Sequence, residues 1–310
     1  MGGGGRDPLN PVWLAGGVDV DGLIVVDKPA GMTSHDVVAR IRRLARTRRV
    51  GHGGTLDPMA TGVLIIGVNK ATRLLTYVIG ARKSYAATIR LGQSTVTDDA
   101  EGDVTATVSA AAVTGESIRS ALAARVGEID QVPSAVSAIK VNGERAYKRV
   151  RDGEQVELAA RRVTIFQQDV LDIRHEGDVV DIDVEVTCSS GTYIRAIARD
   201  LGTTLGVGGH LTALRRTAVG ALTLAEAATL EQLEERAPDV LSLPMAQAAR
   251  QAFPQREATA DEARVLSHGG PLEPVGIEGP YAVFGPEGNV LAVVSERDGK
   301  ARAEIVLAAA

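Results

Sequence analysis

The segment Gly51-His52-Gly53-Gly54-Thr55-Leu56-Asp57-Pro58-Met59-Ala60-Thr61-Gly62 sets a single carboxylate among four glycines. Glycine admits backbone angles and close approaches that a Cβ would block, so this density describes a shaped loop. Pro58 biases Asp57 toward an extended conformation and removes one amide donor. A lone carboxylate there could act as a nucleophile or a general base. The same residues also read as a helix start, an Asp cap followed by a first-turn proline. A second stretch, Cys188-Ser189-Ser190-Gly191-Thr192-Tyr193-Ile194-Arg195, reads as strand end, turn and helix start, with Thr192 as cap. It would place an aromatic ring and a guanidinium near a strand end. If Arg195 meets Asp57 it holds that carboxylate ionised; pairing with another carboxylate, and a core role for Tyr193, are the structural alternatives. Aromatic residues are only 3% of the chain, so Tyr85 and Tyr193 beside polar motifs stand out as stacking platforms for an unstacked base.

The elements that must hold these residues are readable from pattern. Residues 22–26 form a compact β-branched strand that ends in Asp27-Lys28-Pro29-Ala30-Gly31. Thr33 or Ser34 caps a helix over 36–45, whose apolar stripe is Val37, Val38, Ile41, Leu44 and Ala45. Six arginines lie between 40 and 49; Arg40, Arg43, Arg46, Arg48 and Arg49 are the candidate contacts to a nucleic-acid backbone. A solvated basic helix face is the competing reading. Strands are expected over 62–68 and 84–91, with a helix over 70–79 between them. The polar segment 93–102, with Asp98, Asp99 and Glu101, reads as a solvated loop. A helix over 117–124 precedes an Asn142-Gly143 hairpin turn, and 147–151 with Arg161-Arg162 adds basic character. Residues 163–173 and 179–187 read as paired antiparallel strands, the second alternating Val-Asp-Ile-Asp-Val-Glu-Val. A strand over 210–224, a helix over 224–236 and a Pro/Ala/Gln-rich connection follow. The last 55 or so residues suggest a small, mostly β unit.

Composition bounds the answer. A chain of 310 residues can bury a sizeable core and divide into two domains. The expected divisions are a disordered lead over 1–20, a catalytic domain over 21–245 and a β-rich C-terminal domain over 250–310. Net charge is −5, which argues against a nucleic-acid partner, but its distribution argues for one. From Gly220 onward there are 14 acidic and 7 basic side chains, against 27 basic and 25 acidic before it. Cys188 is the single cysteine, so no internal disulfide is available and a reducing cytoplasm is expected. The five histidines show no metal-ligand spacing, and no Ser-His-Asp, paired-carboxylate or phosphate-loop motif is present. Neither metal nor cofactor is expected, and no apolar run is long enough to span a bilayer.

Gly51–Gly62 resembles the catalytic motif of the TruB family of tRNA pseudouridine-55 synthases, whose usual form is GHxGTLDPxATG. The resemblance extends through Gly22-Leu-Ile-Val-Val-Asp-Lys-Pro-Ala-Gly-Met-Thr-Ser34, Lys83-Ser-Tyr85, the segment from Pro133 to Gly143, Cys188–Arg195 and Leu214-Arg215-Arg216. It implies an α+β fold, a mixed and mainly antiparallel sheet with flanking helices (the pseudouridine synthase fold), plus a small β-rich PUA-like C-terminal domain. It also implies isomerisation of uridine-55 in the T-loop of tRNA without a cofactor. Asp57 would be the essential aspartate, Tyr85 would stack on the target base, and Arg195 would pair with Asp57. Tyr193 would line the pocket, Leu214 and Lys28 would help close it, and His52 would sit against the RNA where the uridine has left its stack. Asp99 matches the second acidic position of the family's TDTxD segment, while Val96 replaces the first and Gly53 replaces a more usual Thr or Ala. The partner is the tRNA T-arm and a monomer is expected; a catalytically silent tRNA-binding or RNA-folding module is the alternative.

Overall fold

The computed structural model describes residues 21–134, 140–141, 144–145 and 158–308. The 1–20 lead, the Asn142-Gly143 turn and the basic 147–151 segment lie outside the described residues. In chain order the elements are β1 (Gly22–Lys28), α1 (Ser34–Leu44), β2 (Val50–His52) and β3 (Thr61–Val68). A 3-10 segment (Asn69–Leu74) runs into α2 (Leu75–Gly80), followed by β4 (Lys83–Leu91), β5 (Gln93–Thr95), β6 (Val104–Thr107), α3 (Gly115–Ala123) and β7 (Gly127–Gln131). Next come β8 (Lys140–Val141), β9 (Glu144–Arg145), β10 (Arg161–Glu176), β11 (Val179–Cys188), α4 (Ile194–Thr204), β12 (Gly209–Val219) and β13 (Leu222–Thr223). The chain ends with α5 (Leu230–Arg236), β14 (Leu243–Pro244), α6 (Met245–Ala252), β15 (Gln255–Glu257), α7 (Ala260–Ser267), β16 (Tyr281–Phe284), β17 (Val290–Arg297) and β18 (Lys300–Val306).

The large sheet runs β14-β1-β3-β12-β4-β11-β10-β7, with β2 added beside β3 and β13 beside β12. Every pairing in it is antiparallel except β12 with β3, so the sheet is mixed and mainly antiparallel, as expected. Side chains alternate between its faces. Ile24, Val26, Leu64, Ile66, Tyr85 and Ile89 share one core with Val37 and Ile41 of α1 and Ile197 and Leu201 of α4. Leu23, Val25, Val63 and Ile65 face a second core with Leu75 and Ala248. The solitary parallel seam matters for function: it draws the chain after Asp57 against β12, and β12 lies against Tyr85 on β4.

Gly62 makes that seam possible. Its φ is +97°, and a Cβ there would lie 2.2 Å from the Arg216 carbonyl oxygen. Backbone strain and backbone-to-backbone overlap then act together. Gly62→Ala is expected to cost about 3 kcal/mol or more, read as a lowered denaturant midpoint; a midpoint within error of wild type would contradict this packing.

One expectation is corrected here. The helix expected over 224–236 occupies only Leu230–Arg236, because Thr229 caps it with Gln232 in a reciprocal capping box. Leu222-Thr223 instead folds back as a hairpin on β12. The Pro/Ala/Gln-rich connection is itself packed. Leu243 pairs with Leu23 at the sheet edge, Ala248 of α6 enters the second core, and Ala249 and Phe253 pack with Phe284 and Val293. The C-terminal β-sheet, ordered β15-β16-β17-β18, is thus joined to the large one through an apolar contact that also contains Leu74.

Candidate active site

Asp57 lies in irregular chain between β2 and β3, not at a helix start. The segment before it, from β1 into α1, fixes its position. Thr33 caps α1: its hydroxyl accepts from the Asp36 N–H (3.1 Å) while the Asp36 carboxylate accepts from the Thr33 N–H (2.9 Å). This cap sets Ser34 in the first turn, where its hydroxyl accepts from the Leu56 N–H (2.9 Å) and donates to the Leu56 carbonyl (3.1 Å). Lys28 is fully buried, and its ammonium donates to the carbonyls of Pro29 (2.8 Å), Met32 (2.7 Å) and Pro58 (3.2 Å). Burial lowers its pKa to about 8. Lys28 is therefore an anchor for the Asp57 loop and not part of the cleft wall. From the opposite side Arg216 donates to the carbonyls of Gly54 (3.3 Å), Thr55 (3.2 Å) and Val63 (2.7 Å). In this chain Gly53 packs against α2, where a Cβ would stand 3.1 Å from Val78 Cγ1.

Arg195 enters from the first turn of α4, directly after the turn that follows β11. Thr192 does not cap that helix, because its hydroxyl donates to the Ser189 carbonyl (2.9 Å); the cap position is Tyr193, which makes no side-chain capping bond. Buried Gln131 takes over the task, its amide accepting from the Tyr193 N–H (2.8 Å) and donating to the Tyr193 carbonyl (3.1 Å). The Arg195 guanidinium, 4% exposed, then spans two acids: Nη2 is 3.0 Å from Asp57 Oδ2 and Nη1 is 3.3 Å from Asp99 Oδ2. Nη1 also donates to the Thr97 carbonyl (2.8 Å). Asp99 is buried, so the reading of 93–102 as a solvated loop is corrected: β5 pairs with β6, and Asp99 bridges to Leu211 of β12. Val96 is exposed, so the departure from TDTxD leaves the Arg195 contacts intact. Burial, then the Asp99 and Asp57 charges, push the nearby Glu101 carboxyl up.

Asp57 keeps a third of its side-chain surface exposed and opens on a cleft of about 250 Å³. Tyr85, Tyr193, Arg195 and Leu214 line this cleft with it, as do Lys83 and Arg216. Burial raises the Tyr85 pKa, so its phenol stays protonated and is available for packing or hydrogen bonding. Two site cations were not singled out by the sequence reading. Arg216 is signalled by the Leu-Arg-Arg motif, and Lys83 by its place two residues before Tyr85. His52 lies outside the cleft lining on edge strand β2, its ring 5.2 Å from that of His35 at 79°. Burial, then the His35 charge, hold its pKa below the ordinary value. Arg43, Arg46, Arg48 and Arg49 are exposed at the end of α1 and in the following turn. Arg40 differs, because it pairs with Glu234 of α5 at 2.5 Å. Among the described residues no group of three or more His, Cys, Asp or Glu side chains is placed to share a metal ion, and no helix is long and apolar enough to cross a membrane.

Residues 42–194 match the family model described as TruB family pseudouridylate synthase (N terminal domain). A protein named tRNA pseudouridine synthase B from Arthrobacter sp. (strain FB24) is 60% identical over 300 residues, covering 93% of this chain and 97% of its own. The chain belongs to the TruB family. Two further models of the family match, tRNA pseudouridylate synthase B C-terminal domain over 195–240 and tRNA Pseudouridine synthase II, C terminal, over 253–308. A protein of the same name from Mycobacterium ulcerans (strain Agy99) is 55% identical, covering 92% of this chain and 94% of its own. Among solved structures, a Cbf5-Nop10-Gar1 complex contains a chain with a TM-score of 0.70 and 26% identity, over 93% of this TruB-family chain and 85% of that one.

Proposed function

We propose that this protein isomerises uridine-55 in the T-loop of tRNA to pseudouridine, with Asp57 acting on a flipped-out uridine that stacks on Tyr85. The observation that carries the proposal is the Arg195 guanidinium bridging Asp57 and Asp99 in the wall of a cleft also lined by Tyr85 and Tyr193. Uridine-55 lies in the folded elbow of tRNA, and extruding it costs a few kcal/mol. Aromatic walls return part of that cost by stacking. Inside the cleft Asp57 faces the ribose and ring. It can attack C1′, attack the pyrimidine, or remove a ribose proton to give a glycal. Each route breaks N1–C1′, lets the uracil turn and rejoins C5 to C1′, and needs no redox step. Family membership and relatives named for tRNA pseudouridine synthesis support the substrate class. Tyr193 and Leu214 would hold the base, His52 would face the RNA beside the cleft, and Asp99 would position Arg195. The cytoplasm is the natural site of action, and a monomer suffices because every proposed group comes from one chain.

The deciding experiment uses tRNA tritiated at uridine C5. Tritium release with pseudouridine mapped to position 55 is expected; tRNA binding without release would make the chain a binding module instead. The basic strip neutralises phosphates, and the acidic C-terminal domain, PUA-like in this proposal, contributes little to that grip. Removing Arg43, Arg46 and Arg49 together is expected to flatten the salt dependence of tRNA affinity by about one logarithmic unit of slope for each phosphate left without its arginine. Filter binding across a salt series reads it, and an unchanged slope would remove the strip from the interface.

A further inference from the structure

The geometry points to Lys83 as a further catalytic residue. Its ammonium, with the Arg216 guanidinium in the same wall, stabilises the uracil monoanion released when N1–C1′ breaks, an inference that rests on the uridine-isomerising reading above. Among the described residues two lysines near Asp57 are deeply buried, and they are spent differently. All three N–H donors of Lys28 go to carbonyls. Lys83 donates to two, Ile79 (2.8 Å) and Ala81 (3.1 Å). It lines the cleft, which leaves its third donor for a ligand there. Burying an ammonium without a carboxylate is costly. Around Lys83 stand the α2 carbonyls, Gly54 of the Asp57 loop, Cys188 of β11 and Arg216 of β12. The Cys188 thiol is pushed up to about 11 by burial and stays neutral. Burial and the Arg216 charge together lower the Lys83 pKa to about 8. Among the described residues, Arg195 alone of the three cations lining the cleft has carboxylate partners. Lys83 and Arg216 make no ion pair among the described residues.

Paired positive charge held without an anion suits negative charge that exists only during reaction. Uridine is neutral. When N1–C1′ breaks, the bonding pair leaves with the base and spreads over N1, O2 and O4. C1′ is meanwhile bonded to an Asp57 oxygen or becomes part of a glycal by loss of the C2′ proton. Later C5 bonds to C1′ as the Asp57–C1′ bond breaks, or as the abstracted proton returns to C2′ of the glycal; the C5 proton departs and N1 takes up a proton, so the product is a neutral isomer. Lys83 keeps its own proton throughout.

Single-turnover rates with uridine-55 tRNA and with tRNA carrying 5-fluorouridine at that position test this. Fluorine makes uracil a better anion, so its departure needs less help. Lys83→Met is expected to bind tRNA normally but to lose about 10²-fold in rate on uridine, with a clearly smaller loss in consumption of 5-fluorouridine. Lys83→Arg is expected to keep most of the rate and to show a smaller fall in kcat/KM than wild type as pH rises through about 8, where Lys28 also loses its proton. Equal losses on both substrates would assign Lys83 to structure alone and overturn the inference. If Lys83→Met does not fold, Lys83→Gln is measured on the same two substrates: a clearly smaller loss on 5-fluorouridine supports the inference, and equal losses overturn it. Absence of pseudouridine from wild type would instead defeat the reading on which it rests.

Discussion

Asp57→Asn is expected to bind tRNA within a few-fold of wild type and to form pseudouridine at less than about 10⁻⁴ of the wild-type rate. The substitution keeps size and shape while removing the charge that every route requires. Its clean interpretation depends on the neighbours. Arg195 retains Asp99 and the Thr97 carbonyl as partners, so the guanidinium is not stranded when Asp57 becomes neutral. The loop keeps its anchors too, because Ser34, Lys28 and Arg216 bind main-chain carbonyls of Gly54 to Pro58, and Gly31 donates its N–H to the Pro58 carbonyl (2.8 Å). Folding and RNA affinity therefore separate from chemistry in this variant. Gel-shift titration together with nearest-neighbour analysis of pseudouridine measures both. Turnover above a few per cent would remove Asp57 from the reacting position.

Much of this arrangement was legible along the chain because it is local. The glycine loop, the turn before α4 and the Leu214-Arg215-Arg216 strand each announce a shape within a dozen residues, and the fold joins them at the centre of the sheet. What escaped depends on long-range placement. Asp99 looked like one of several solvated acids; its burial comes from Arg195 and from β12, about a hundred residues away. Lys28 stood in a legible motif, yet its direction, beneath the loop and not into the cleft, follows from three carbonyls converging on one ammonium. Lys83 and Arg216 read as ordinary strand cations until β3, β12 and β4 lie side by side. Arg40 sits in the same charge run as its neighbours, but Glu234 of α5 claims it. The connection after residue 236 is placed in the same long-range way. Its proline and alanine content signals only a connection, and pairing of Leu243 with Leu23 makes it an edge of the sheet.

Arg195→Met tests the other half of the central pair and should be costly in a different way. Methionine fills much of the aliphatic volume but leaves Asp99 buried without the one cation it pairs with among the described residues, and breaking a buried pair by removing one partner costs about 3–5 kcal/mol. Asp57, being partly exposed, contributes less to that loss because solvent screens it. Stability and rate are thus expected to fall together, the rate by about 10³-fold in the fraction that remains folded. Arg195→Lys keeps charge but loses the fork, so one ammonium cannot hold Asp57 and Asp99 in the same geometry; it should recover stability more than turnover. The decisive comparison adds Asp99→Asn to Arg195→Met. Neutralising the stranded acid should restore most of the denaturant midpoint while leaving pseudouridine formation as slow as in the single variant. If activity returned along with stability, Arg195 would be a fold residue only. If neither returned, the cost would lie in packing around the guanidinium and not in the unpaired Asp99 charge.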